Sequence, residues 1–201
     1  MTNFLDTVSI AVLRHVCKDI NVIITLKLIT SNNIASDAIL LDFTSVAKFL
    51  IETKYKINKL TVNSAIERGN FEILDICIEK GHKLTFDHFL TSIKSKNRSM
   101  ISYICLPFLE MDFDKLQIII KEIAKIDDVN IFKLLIPNRS QNTRESIGHF
   151  VFHNSINIIE DMRFRLGGRV QYEKTIMAWA NNLNNIDMIK YCNTNDYDRG
   201  P

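Results

Sequence analysis

Ala65-Ile66-Glu67-Arg68-Gly69-Asn70-Phe71-Glu72-Ile73-Leu74-Asp75-Ile76-Cys77-Ile78-Glu79-Lys80-Gly81 is the stretch on which the fold turns. It reads as a short helix, a Gly-Asn turn and a second helix closed by glycine. In the second helix Phe71, Leu74 and Ile78 fall at i, i+3 and i+7. Ile73, Ile76 and Cys77 widen that stripe, as a helix packed on two sides requires. Gly81 offers the left-handed C-terminal conformation that side chains resist.

The pattern recurs along the chain. Residues matching Glu72, each just ahead of an apolar run, are Asn21, Ser45, Ser99, Asn130, Asn157 and Asp187, which gives successive intervals of 24, 27, 27, 31, 27 and 30 residues. A polar residue stands two positions before most of these anchors: Asp19, Asn70, Asn97, Asp128, Ser155 and Asn185. Recurrence of this kind marks an array, here an all-α solenoid of about six or seven helix pairs. The expected organisation is a single domain over 1–201, with a unit near 10–30 and a unit near 173–195 as its caps.

First helices are expected to begin near Thr85 and near Asp114. Asp114 would cap the free amides, Gln117 would reach back, and Phe113 would pack on Ile118. Pro107 and Pro137 follow second helices, where a helix should stop. The β-branched runs Ile118-Ile119-Ile120 and Val22-Ile23-Ile24 yield to the helical period around them. The register places Ile73, Ile76, Cys77, Ile104, Leu134, Leu135, Ile158 and Ile189 in the core.

The 65–81 stretch carries Ala-x-x-x-Gly-Asn-x-Glu-Ile and then an apolar run ending Glu-Lys-Gly. This resembles the ankyrin repeat. Ala180 matches Ala65 in the last unit, and Ile186-Asp187-Met188-Ile189 matches the Glu-Ile stretch. No unit carries that family's Thr-Pro-Leu-His start. Lys96, Asp127, Asn154 and Asn184 stand where Gly69 makes the turn. Most intervals fall short of the family's ~33 residues, so β-hairpin fingers should be short or absent. The resemblance implies a non-enzymatic protein–protein interaction module that displays a curved binding surface on another protein. Ile, Asn and Lys are abundant, and in that bias the chain resembles the degenerate ankyrin proteins of large DNA viruses or AT-rich intracellular organisms. Such viral proteins intercept host proteins.

Net charge is +2, which gives no strong drive toward nucleic acid or membrane. Residues Met1 to Asp6 lack the basic start and long apolar stretch of a signal peptide. Apolar runs fall short of the ~20 residues a membrane span needs. The expectation is a cytoplasmic protein, or one of host cytoplasm or nucleus if viral. Cys77 and Cys192 occupy one repeat position and Cys105 sits a residue away. With Cys17, they read as reduced thiols in separate core layers, not as a disulfide framework.

Catalysis finds no support: no Gly-x-Ser-x-Gly elbow and no Gly-rich phosphate loop occur. Glu145, His149 and His153, at i, i+4 and i+8, share one helix face on which two His could hold zinc. No Glu follows the first His, and Gly148 weakens the helix, so no metal and no cofactor are expected. His82 and His88, in a loop and near a helix start, form no ligand pattern. Trp179 matches an apolar first-helix position.

The candidate partner-binding residues are Phe108, Leu109 and Met111, apolar residues in the loop of the longest unit. Arg163, Arg165 and Arg169 flank Gly167-Gly168, with Phe164 and Tyr172 nearby, and support an alternative reading as a nucleic-acid-binding helical repeat. A structural or assembly subunit is the third reading. No small-molecule substrate and no membrane partner are expected.

Overall fold

The computed structural model describes residues 33–52, 56–105, 112–136, 143–165 and 170–195. Among the described residues there are twelve helices and no strand. The unit expected near 10–30, Cys17, and the candidate residues Phe108, Leu109 and Met111 lie outside them. The chain divides into two compact units, Met1–Cys105 and Leu106–Pro201.

Among its described residues the first unit contains three helical hairpins, α1 (Ile34–Leu40) with α2 (Thr44–Glu52), α3 (Lys59–Arg68) with α4 (Phe71–Glu79), and α5 (Phe86–Ser95) with α6 (Arg98–Cys105). First helices stack on first helices, α1 on α3 and α3 on α5, while α2 packs on α4. Phe71 of α4 meets Tyr103 of α6 edge-on at 5.6 Å. The second unit repeats this arrangement with α7 (Phe113–Ile126), α8 (Val129–Leu135), α9 (Thr143–Phe152), α10 (Ile156–Arg165), α11 (Val170–Asn182) and α12 (Ile186–Thr194). Here α7 packs on α9, α9 on α11, and α8 on α10.

All six hairpin turns follow one plan. The residue before the second helix's cap is left-handed: Asp42 (φ 62°), Gly69 (66°), Lys96 (59°), Asp127 (52°), Asn154 (55°) and Asn184 (49°). The next amide then bonds to the carbonyl five residues back in four of the turns: Phe43 to Ala38, Asn70 to Ala65, Ser155 to Phe150 and Asn185 to Ala180. This is the Schellman closure, which satisfies a carbonyl the first helix leaves free. Ala65 and Ala180, matched from sequence, are both fully buried and play this same part.

Side chains then start the second helices. The Asn70 side-chain Oδ1 accepts the Ile73 amide at 3.1 Å, Asn97 Oδ1 that of Met100 at 3.0 Å, and Asn185 Oδ1 that of Met188 at 3.1 Å. The Asp128 carboxylate takes two amides, of Asn130 at 2.8 Å and Ile131 at 3.1 Å. Ser155 departs from the pattern. Its hydroxyl donates to the Ala124 carbonyl at 2.6 Å. The amides of Asn157 and Ile158 go instead to the Asp127 carboxylate, at 3.1 and 3.0 Å, in the turn of the preceding hairpin.

Counting from each cap, the third, fourth and seventh residues form the core. Val46, Ala47 and Leu50 are buried, as are Ile73, Leu74 and Cys77, then Met100, Ile101 and Ile104, then Ile158, Ile159 and Met162. Two expected core positions are corrected. Leu134 is exposed and Leu135 half-buried, while Ile131 and Phe132 hold the core of that hairpin. For Leu134 the reason is register, because it is the sixth residue from the cap; for Leu135, the seventh, it is length, because α8 ends there. Ile76 and Ile189 are half-buried. The start of α7 is also corrected. Asp112, not Asp114, is the cap, accepting the Lys115 amide at 2.9 Å. Phe113 and Ile118 are both exposed and form no staple.

The left-handed position makes opposite predictions at two turns. Lys96→Gly should raise stability by about 0.5–1 kcal/mol, as relief of a left-handed side chain exceeds the entropy that a new glycine adds to the unfolded state. Gly69→Ala should lower it by at least ~1 kcal/mol. A Cβ at Gly69 would lie 2.3 Å from Asn97 Nδ2, and Asn97 caps α6. Urea melts of both variants test this, and shifts of the same sign would contradict it.

Candidate interaction surface

In the second unit the turn between α9 and α10 lies against the turn between α11 and α12. Asn185 Nδ2 donates to the Val151 carbonyl at 2.6 Å and to Asn154 Oδ1 at 2.9 Å. Turns tied together this way bring four apolar residues to one edge. Phe152 ends α9 and is 61% exposed, and Ile186 begins α12 and is 64% exposed. Ile156, the first residue of α10, and Leu183, just past α11, are exposed as well. Each sits beside a residue that must face inward. Phe150 and Val151 are buried next to Phe152, and Met188 next to Ile186. The helical period therefore forces Phe152 and Ile186 outward.

The same positions in the first unit are mixed: Leu41 is exposed and apolar and Phe71 half-buried, but four others are charged. Glu67 and Arg68 end α3, Lys94 lies in the last turn of α5, and Arg98 begins α6; all four are exposed. The first-unit edge also carries ion pairs. Arg68 meets Asp42 at 3.7 Å and donates to the Leu40 carbonyl. Exposed pairs of this kind contribute little to stability. The second unit's edge thus gathers four exposed apolar side chains where the first unit's is partly charged.

Of the arginines singled out in the sequence, Arg163 is already engaged. Its Nε donates to Glu173 at 3.0 Å, and Glu160 lies 3.9 Å from its guanidinium. The Arg165 side chain and all of Arg169 lie outside the described residues. Phe164 is 88% exposed, but Tyr172 is buried and cannot stack on a base. Burial, with the Asp161 and Glu160 carboxylates nearby, pushes the Tyr172 phenol far up.

His149 lies within α9, while His153 falls in the turn beyond it; the Glu145 side chain is outside the described residues. Burial, and then Lys121, pushes the His149 imidazole below its usual range. Gly148 is needed for packing: a Cβ there would meet the Trp179 ring at 3.1 Å. Trp179 is thus a half-buried packing residue laid over α9. Cys77 and Cys192 are buried free thiols, both pushed up to about 11 by burial, and Cys105 is free and half-buried. Thiols of that kind stay protonated and unreactive at neutral pH. Among the described residues no three His, Cys, Asp or Glu side chains gather as a metal site. No helix among them is long and apolar enough to cross a membrane.

The apolar edge escapes a linear reading because Ile156, Leu183 and Ile186 each follow polar turn residues, and Phe152 is hidden in the run Phe150-Val151-Phe152. Aligning the turns on their caps reveals it. The position after the cap reads Thr44, Phe71, Arg98 in the first unit and Val129, Ile156, Ile186 in the second. Comparison with known family models, characterised proteins and solved structures finds no match to this chain.

Proposed function

We propose that the chain is a non-enzymatic module of ankyrin-like helical hairpins whose task is to hold another protein. It would be of the kind by which large DNA viruses intercept host proteins. The observation that carries the reading is the apolar turn edge Phe152, Ile156, Leu183 and Ile186 on a hydrogen-bonded frame. Exposed apolar clusters on otherwise polar surfaces mark sites of protein contact. A frame of stacked hairpins presents them without reordering on binding, which limits the entropic cost of association.

The test is a pair of substitutions, Phe152→Ser with Ile186→Ser. Partners captured from source or host cells are identified, and their affinity is measured for both forms. The double variant should bind its protein partner at least about tenfold more weakly, as loss of central apolar anchors does. Its melting temperature should hold, because both side chains are exposed. Unchanged affinity would refute the edge as the contact surface. Light scattering of the purified protein separates this reading from assembly. A stable oligomer that the double variant dissolves would favour the structural-subunit reading.

A further inference from the structure

The loop joining α4 to α5 and the first turn of α5 hold two imidazoles whose Nε2 atoms are both buried without a partner. His88, third residue of α5, is buried, and its Nδ1 accepts the Thr85 amide at 2.9 Å. Thr85-Phe86-Asp87-His88 has the spacing of a capping box, with His in the position that Glu or Gln ordinarily fills. Because Nδ1 accepts, the neutral ring carries its hydrogen on Nε2, and that atom is buried without a partner. The ring of His82 stands edge-to-face to it at 5.2 Å, and His82 Nε2 is likewise buried and unpartnered. A metal ion fits this arrangement poorly, since the one His88 nitrogen left for it holds the proton.

We propose that His82 and His88 form an acid-released latch on the first turn of α5. Protonating His88 places a hydrogen on Nδ1, which then turns to the Thr85 hydroxyl at 3.0 Å, and removes the acceptor of the Thr85 amide. It also puts a cation in a buried site beside a second imidazole. The charged groups around the pair are Lys59, from α3, and Asp87, on α5 itself, which are paired with each other at 2.6 Å. From α4 the Cys77 carbonyl accepts the His82 amide at 3.0 Å. Lys59 holds the Asp87 carboxyl below its usual range, so that ion pair persists while the imidazoles titrate.

Burial lowers both imidazoles from their ordinary 6.5, and for His88 the neighbouring His82 and Lys59 lower it further, against Asp87. Both are therefore neutral in the folded chain at neutral pH. The unfolded chain takes up protons first as pH falls through 6.5, so stability is full above that value and declines below it. The decline ends once pH has passed the depressed folded values. Within that window each of the two protons multiplies the unfolding constant by at most about ten per pH unit.

The experiment uses the full chain and its His88→Gln variant. Glutamine at this position can accept the Thr85 amide as a capping-box residue does, and it cannot titrate. Amide exchange protection at Thr85 and Phe89 is followed by NMR from pH 7.5 to 5, with the histidine ring resonances. Protection at Thr85 should fall in the wild type as pH drops below 6.5, by up to about tenfold per pH unit for each proton. It should fall less steeply in His88→Gln, by the share of the lost His88 proton, because His82 still titrates. His149 and His153 act on both proteins alike and cancel in the comparison. Equal loss in the two proteins would overturn the latch. If the variant does not fold, the wild-type titration decides. A His88 ring that titrates at or above 6.5, with Thr85 still protected, refutes the proposal.

Discussion

Phe150→Ala is expected to destabilise the protein by about 3–5 kcal/mol, from lost transfer free energy and the cavity left behind. Phe150 is fully buried and meets the Phe132 ring edge-on at 5.5 Å, so one side chain joins the cores of two hairpins. A loss of that size is a large part of the ~5–15 kcal/mol that holds a domain folded. The control lies two residues away. Phe152 is on the outside of the same helix end, and Phe152→Ala should change stability by no more than about 0.5 kcal/mol. Urea denaturation followed by far-UV circular dichroism measures both. A cost below ~1.5 kcal/mol at Phe150 would mean that α9 does not pack as described.

Asp127→Ala should cost about 2–3 kcal/mol through two separable losses. One is the cap, since the carboxylate accepts the amides of Asn157 and Ile158 and also the Asn157 side chain at 2.8 Å. The other is the left-handed backbone at φ 52°, which alanine resists more than aspartate. Asp127→Gly removes the cap and relieves the backbone, so its cost should be smaller than that of alanine. Asp127→Asn keeps one acceptor oxygen and a side chain that tolerates the left-handed region, and should cost least. Denaturant melts of the three variants must fall in that order. Equal costs for Gly and Ala would show that the backbone conformation contributes nothing.

The hairpin turns were legible in the sequence because local chemistry specifies them. Lys96, Asp127, Asn154 and Asn184 align with Gly69, and each adopts the left-handed backbone despite carrying a side chain. Each is followed by a cap residue or its equivalent, so the tight turn is fixed from both sides. Helix ends were less legible. Leu135 reads as core because nothing in Phe132-Lys133-Leu134-Leu135-Ile136 announces that α8 stops at 135, and Leu134 falls one position off the core register. Asp112 and Asp114 are equally good caps by residue type, and the backbone chose the earlier. The exchange of roles between Ser155 and Asp127 was not legible at all, because it couples two turns far apart in sequence. Of the candidate contact residues, Phe108, Leu109 and Met111 lie outside the described residues, and the edge of Phe152 and Ile186 emerges only when hairpins are compared.

The hydrogen bonds between neighbouring turns have a direction. Asn70 gives a hydrogen to Thr44, Ser155 to Ala124, the start of α10 to Asp127, and Asn185 to Val151 and Asn154. In every case the donor belongs to the later hairpin and the acceptor to the earlier. A chain leaves the ribosome with its N-terminal part first, and structure can form in that order. Each of these acceptors therefore emerges before the group that needs it. A new hairpin meets a prepared edge, and its incoming donors need not wait, unpaired, for partners still to be made.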